Sequence, residues 1–317
     1  MARKHISVYR GTHEFLFARP LSMTLPVSIT AVAPVIGRFA PSPSGPLHFG
    51  SLVAALGSYL SAKAQRGQWL LRIEDIDPPR EPVGAADTIR KQLEAFALCW
   101  DSEVLYQSQR SERYEQVLAQ LLASGAAFHC ACTRRELQDN AGRCANHCAE
   151  KHLGGQRTAI RLRAPAKTLA INDRIHGLVE IAEHEDIVLK RRDGLYGYTL
   201  AVVVDDLDQG ITEIVRGADL LTASPLQAQL FRLLGAQPPS YTHLPLVLQA
   251  DGRKLSKQNQ APAISVEQRL ELLHRALRVL GQPVPEAEHP EALLTAATTT
   301  WDIAKVPKGP VFELASN

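Results

Sequence analysis

The sequence contains no run of about 18 apolar residues, so no transmembrane helix and no membrane partner are expected. No internal repeat or low-complexity tract is evident. With 45% hydrophobic and 21% charged residues, the chain is neither collagen-like nor wholly disordered. Charge of one sign is also lacking. Lys+Arg 35 against Asp+Glu 33 leaves a formal charge of +2, so no global basic field advertises a nucleic-acid partner. Methionine is scarce, with only Met1 and Met23, and cysteine is limited to five residues. An odd cysteine count excludes a complete disulfide framework.

The 317 residues that remain to be explained suit two domains better than one. The first 34 residues carry Arg3, Lys4 and Arg10 before an apolar patch, in the manner of a weak signal peptide. Glu14, Pro26 and Pro34 spoil that pattern, and a flexible extension is expected instead, with Met23 an alternative start. A short strand over Val35–Ala40 then runs into a Gly/Pro/Ser loop, and Ser51–Ala64 has helical apolar spacing. Trp69–Ile73 is a second strand, which makes a parallel βαβ start. Helices are expected over 85–96, 110–124 and 226–234. Gly197–Asp206 reads as an apolar, strand-like run, Ile211–Val215 as another strand, and the chain beyond about 262 as a small helical region.

Four of the five cysteines fall together, as Cys130-x-Cys132 and Cys144-x3-Cys148 separated by 11 residues. Two close pairs of thiols suit a closed tetrahedral Zn2+ site of structural type, one ion per chain. His129 and His147 are nearby rivals as ligands. Cys99 stands apart and reads as a buried small hydrophobe. Disulfides are not expected, because a cytoplasmic location is. From Cys130 to Arg192 there are 12 basic and 8 acidic residues, a net of +4, so the modest total hides a basic segment suited to a phosphate backbone.

Two segments carry phosphate chemistry. In the first, the strand delivers Pro41-Ser42-Pro43-Ser44-Gly45-Pro46, and a helix begins just after His48. Backbone N–H groups at such a helix start bind phosphate, Gly45 and Gly50 permit close approach, and His48 can donate to a phosphate oxygen. In the second, Lys254-Leu255-Ser256-Lys257 offers two cations on a loop that could close over a polyphosphate.

These segments resemble the HIGH and KMSKS motifs of class I aminoacyl-tRNA synthetases. GRFAPSPSGPLHFGS, LRIEDIDPPR and VVVDD…ITEIVRGADLL are similar to the glutamyl/glutaminyl branch, in family order from about residue 35 to 260. Ser51 replaces the second motif histidine, and the second motif ends in Gln258. The resemblance implies an α/β fold. A Rossmann-like parallel sheet would occupy 35–129 and 193–245, interrupted by an inserted zinc-bearing α+β domain that contacts tRNA over 130–192. The KMSKS-like loop and a small helical region would follow over 246–317. Only 59 residues follow Gln258, too few for the usual anticodon-binding domains. That wording resembles the subgroup that places glutamate on queuosine in the anticodon of tRNA(Asp) and leaves the tRNA 3′ end uncharged. A short glutamyl-tRNA synthetase and an inactive zinc-bearing RNA-binding protein are the alternatives.

The implied partners are ATP with Mg2+, L-glutamate and queuosine-containing tRNA(Asp), acting on a monomer. By resemblance His48, Gly50, Lys254 and Lys257 serve ATP. Arg38, Ala40, Ser42, Glu74, Tyr198 and Arg216 line the glutamate site, with Arg38 foremost for a carboxylate and Glu74 for the ammonium. The family has a zinc site where the cysteines lie, commonly with Tyr as third ligand, and Cys144 occupies that position here. No protein nucleophile is expected. Asp75, Asp77, Asp205 and Asp206 are expected to pair at the surface or cap turns.

Overall fold

The computed structural model describes residues 34–151, 153–154, 157–182, 185–249, 252 and 262–312. The N-terminal extension and its alternative start, and both Lys254 and Lys257, lie outside the described residues.

Strand β1 (Ile36–Phe39) leads through the Gly/Pro/Ser loop into helix α1 (Phe49–Ala64). The helix starts where expected, but its cap is His48, whose Nδ1 accepts from the Ser51 N–H at 3.2 Å. Leu52, Ala55, Leu56 and Leu60 are fully buried, so α1 is a core helix. Strand β2 (Gln68–Ile73) pairs in parallel with β1, then helix α2 (Ala85–Ala95) crosses to the short parallel strand β3 (Leu105–Tyr106). Helical crossovers between parallel strands cover the faces of a sheet.

Helix α3 (Ser111–Ala123) precedes strand β4 (Ala127–Cys130) and the cysteine segment, which carries helix α4 (Arg134–Gln138). Strands β5 (Ala159–Leu162) and β8 (Val188–Lys190) complete an antiparallel sheet with β4, in the order β4-β5-β8. Between them, β6 (Leu169–Asp173) and β7 (Gly177–Ile181) form a hairpin that leaves this small sheet. Helix α5 (Tyr198–Asp208), strand β9 (Glu213–Gly217), helix α6 (Ser224–Leu233) and strand β10 (Ser240–Leu244) return to the parallel architecture. β10 pairs in parallel with β9 and with β6, giving the order β7-β6-β10-β9. Thr212 joins this sheet to β1, its N–H donating to Ile36 O and its hydroxyl accepting from Ile36 N, both at 2.9 Å. A continuous layer thus runs β3-β2-β1-β9-β10-β6-β7. Short parallel strands β11 (Val247–Leu248) and β12 (Val311–Phe312) flank the C-terminal helices α7 (Arg269–Val279) and α8 (Pro290–Thr300), which pack on α1. No helix among the described residues is long and apolar enough to cross a membrane.

One element departs from expectation. Gly197–Asp206 is not a strand but the start of α5. Leu200 to Val204 are all buried, between α3, α6 and β8, so the run is apolar on every side and shows no period. Length and β-branched content then favour a strand, and burial between helices overrides that preference. Gly197 fits the tight entry to α5, since a Cβ there would stand 2.1 Å from Val188 O.

Candidate active site

The C-terminal ends of β1, β9 and β10 meet beside the start of α1, where open α/β sheets bind ligands. Gly45 turns the intervening loop at φ +134°, a conformation that favours glycine. Because His48 Nδ1 accepts the Ser51 N–H, the ring proton sits on Nε2, the form that donates outward. Beyond the second lysine motif the chain re-enters against this loop. Ala263 bridges to His48, and Ile264 N–H donates to Leu47 O at 2.9 Å. Gln92 clamps the junction, accepting from Leu47 N–H and donating to Ile264 O.

Arg38 is buried, and its bidentate edge is already taken. Nε and Nη2 donate to the two oxygens of Asp206 at 3.0 and 3.3 Å. Arg72 donates to the same carboxylate at 2.7 Å and to Glu74 at 3.3 Å. Two cations and two anions therefore balance in the interior. Burial pushes the Asp206 carboxyl up, but Arg38 and Arg72 outweigh it and hold it below the usual range. At Glu74 burial wins over both arginines, and the carboxyl is raised. An ammonium arriving there would favour the ionised form of Glu74.

Arg216 is different. It is 7% exposed, and its Nε donates to His243 Nε2 at 3.3 Å. Its Nη2 donates to Ser224 Oγ at 2.7 Å and Gln227 Oε1 at 2.5 Å. All these acceptors are uncharged, no carboxylate pairs with it among the described residues, and Nη1 is buried with no partner. An uncompensated buried cation costs several kcal/mol, a cost that an anion beside it would offset.

A cavity of about 550 Å³ is lined by Arg38, Ala40, Ser42, His48, Tyr198 and Arg216, with Gly50 at its helix end. The structure thus brings seven of the proposed site residues onto one wall system. Ser42, Ser44 and Tyr198 also line a larger cleft of about 1190 Å³, where Arg134, Arg161, Arg191 and Arg192 stand with Arg80 beside six carboxylates, Glu74 among them. Asp205 and Asp206 are not at the surface. Both are buried, Asp205 accepting from Gln107, Tyr114 and Arg110, because α5 turns that face into the core. Asp75 caps Ser108, and Asp77 pairs with Arg80. Sequence reasoning missed Arg72 as the cross-link of the charge network and His243, Ser224 and Gln227 as the frame of Arg216. Arg72 sits inside a motif already singled out; His243 had no local signal.

The Sγ atoms of Cys130, Cys132, Cys144 and Cys148 all lie within 4.8 Å of one another. Cys132 is 3.5 Å from Cys144 and 3.7 Å from Cys148. Zn–S bonds of about 2.3 Å in a tetrahedron need S···S edges of about 3.8 Å, so the donor set fits. The Cys148 N–H points at Cys144 Sγ at 3.4 Å, and Asp186 accepts the Cys144 N–H at 2.7 Å. Glu136 ties the two halves together, capping α4 through Thr133 and accepting from Asn146 at 2.9 Å. His129 instead contacts Thr158 and His147 pairs with Glu150, outside the thiol group. Cys99 is exposed rather than buried, although Phe96, Ala97 and Leu98 just before it are core residues.

A parallel sheet with a phosphate-type loop on one strand and an unbalanced arginine on its neighbour describes the catalytic core of a nucleotide-dependent ligase. Comparison with known proteins agrees: the family described as tRNA synthetases class I (E and Q), catalytic domain, matches residues 34–278, and the chain belongs to that family. Its relatives include the glutamyl-Q tRNA(Asp) synthetase of Cronobacter sakazakii, 50% identical over 283 residues, covering 87% of this chain and 95% of the relative. The protein of the same name from Serratia proteamaculans is 50% identical over 288 residues, covering 89% and 95%. Among solved structures, a glutamate tRNA ligase from Elizabethkingia meningosepticum in complex with its amino acid superposes with a TM-score of 0.72 at 25% identity. That match covers 88% of this chain, and the chain spans 66% of the ligase.

Proposed function

We propose that this chain activates L-glutamate with ATP as glutamyl-adenylate and transfers it to queuosine in the anticodon of tRNA(Asp), as a cytoplasmic monomer. The observation that carries the reading is the buried Arg216, unbalanced and with Nη1 unpartnered, on the same cavity as the His48 loop. Arg216 takes one glutamate carboxylate. Arg38 lines the cavity beside it, with its bidentate edge spent on Asp206. Glu74 receives the ammonium, while Tyr198, Ala40 and Ser42 shape the walls.

The other carboxylate attacks the α-phosphate of ATP and pyrophosphate leaves. Positioning and charge stabilisation do the work. His48 and the amides at the start of α1, with Gly50, cradle the phosphates, Lys254 and Lys257 add positive charge, and Mg2+ accompanies the nucleotide. A queuosine hydroxyl then attacks the acyl carbon of the adenylate, loses its proton and forms the ester as the acyl–phosphate bond breaks and AMP leaves, so no protein nucleophile is needed. The cleft that opens from the cavity carries five arginines, Arg191 and Arg192 among them, to meet the incoming RNA backbone, alongside six carboxylates. Incubation with ATP and labelled glutamate should label tRNA(Asp) containing queuosine, and neither the same tRNA without it nor tRNA(Glu). Labelling of a tRNA 3′ end overturns the reading.

The four cysteines hold one structural Zn2+ that stiffens the segment around α4 and performs no chemistry. Metal analysis of protein kept in reductant should find close to one zinc per chain, and Cys148→Ser should lose most of it. Less than half a zinc in the native protein would count against the site.

A further inference from the structure

Three neighbouring strands each place one polar residue in a row beneath the amino-acid cavity. Arg216 on β9 is the register partner of His243 on β10. Tyr241, two residues before His243 on the same face, is the register partner of Asp173 on β6. Opposed and diagonal positions of this kind bring side chains into contact. Here they form a hydrogen-bonded chain. Asp173 Oδ2 lies 2.7 Å from His243 Nδ1, and His243 Nε2 lies 3.3 Å from Arg216 Nε. All three residues are buried.

Asp173 dictates the direction of this chain. Its Oδ1 accepts from the backbone N–H groups of Ile175 and His176, both at 2.9 Å, so Oδ2 alone faces the imidazole. An ionised carboxylate only accepts. The ring proton must therefore sit on Nδ1, which leaves a lone pair on Nε2. The Arg216 Nε–H points at that lone pair, and Ser224 Oγ lies 2.9 Å from Nε2 and equally far from the Leu220 carbonyl, the two acceptors within reach of its one proton. The opposite tautomer would set an Nε2–H against the Arg216 Nε–H, donor facing donor. Burial holds the imidazole below its ordinary pKa against the pull of Asp173, and Arg216 adds to the effect, so the ring accepts without adding a second cation.

We propose that Asp173 and His243 are positioning residues for amino-acid recognition: Asp173 sets the tautomer of His243, and His243 aims the Arg216 guanidinium so that Nη1 meets the substrate carboxylate. The proposal rests on the reading of Arg216 as a glutamate-binding residue. Neither Asp173 nor His243 lines the cavity, so they act through Arg216 alone.

Asp173→Asn is the sharpest variant. With its amide oxygen kept on the two backbone N–H groups, its NH2 faces Nδ1 and drives the ring proton to Nε2. In glutamate-dependent ATP–pyrophosphate exchange, the KM for glutamate should rise on the order of 10- to 100-fold, with the KM for ATP within about 2-fold of native. His243→Leu should behave alike. His243→Gln, which offers an amide oxygen near the place of Nε2, should recover most of the affinity. Unchanged glutamate KM in Asp173→Asn and His243→Leu overturns the proposal. So does a parallel rise in both KM values, the mark of a generally loosened sheet. The native protein supplies a test that needs no variant to be active. Long-range 1H–15N correlation should show His243, identified by its absence in His243→Gln, protonated on Nδ1, and protonation on Nε2 overturns the relay. If native protein shows no glutamate-dependent exchange, the reading of the site fails, and the tautomer measurement still decides the relay.

Discussion

Replacing Arg216 by methionine should raise the KM for glutamate roughly 30- to 5,000-fold, the equivalent of about 2–5 kcal/mol for removing one partner of a buried charge pair. The KM for ATP and the unfolding free energy should move far less. Arg216 has no counter-ion in the folded protein, so its removal relieves a buried charge while it orphans three uncharged acceptors, His243 Nε2, Ser224 Oγ and Gln227 Oε1. Those terms oppose each other, and stability should stay within about 2 kcal/mol of native. Arg216→Lys keeps a charge but loses the planar fork that satisfies those acceptors, and it should recover only part of the affinity. Pyrophosphate exchange together with urea unfolding checks both halves. A variant that binds glutamate normally would remove Arg216 from the site. One that loses binding and several kcal/mol of stability together would make it a scaffold residue.

Asp206→Ala should give the opposite profile, a fall of about 3–5 kcal/mol in unfolding free energy, because it strands Arg38 and Arg72 in the interior with only Glu74 to balance them. Activity should fail with the fold rather than ahead of it. Acid titration provides a second readout. The Asp206 carboxyl is held below its ordinary value in the folded state, first against the push of burial and then by Arg38 and Arg72. Its stabilising contribution is therefore complete above the unfolded value of about 3.9 and is lost as pH falls through the lower folded value. Native protein should lose this increment below about pH 4, and Asp206→Ala should have none of it to lose. Equal urea midpoints for the two proteins at pH 7 would show that the network is not structural. Charge reversal at Arg38 disturbs the same network as well as the cavity wall, since a glutamate there would face Asp206.

The contrast between Arg38 and Arg216 shows where sequence reading stops. Both lie in strand-end motifs, and the sequence puts Arg38 ahead of Arg216 as the carboxylate ligand. What separates them is the partner that each finds across the sheet, Asp206 for one and only neutral acceptors for the other, and pairing across a sheet leaves no local mark in the chain. Local signals served better. The βα loop with its glycine turn, the start of α1 next to His48 and the cysteine spacing were all legible, because each depends on residues a few positions apart. The α5 run defeated periodicity because burial on every side erases the period. Its Asp205 and Asp206 were misplaced for the same reason, since two adjacent carboxylates suggest a surface until the arginines that neutralise them are located. Cys99 shows the converse, a small apolar residue left exposed beside Leu98, which is fully buried.

The hairpin of β6 and β7 bears on how this enzyme could be re-engineered. The cysteine module looks like an exchangeable cassette, yet the chain that follows it lends a strand to the central sheet and a carboxylate to the Arg216 frame. Exchanging everything between β4 and β8 would expose the edge of β10 and cut the brace behind the amino-acid pocket. Even the cysteine loop is not free-standing. Cys130 and Ala159 face each other across the β4–β5 ladder, a Cα separation of about 5 Å, so the loop leaves and re-enters the sheet at one place, but Asp186 and Arg192 tie it back to the chain on either side of β8.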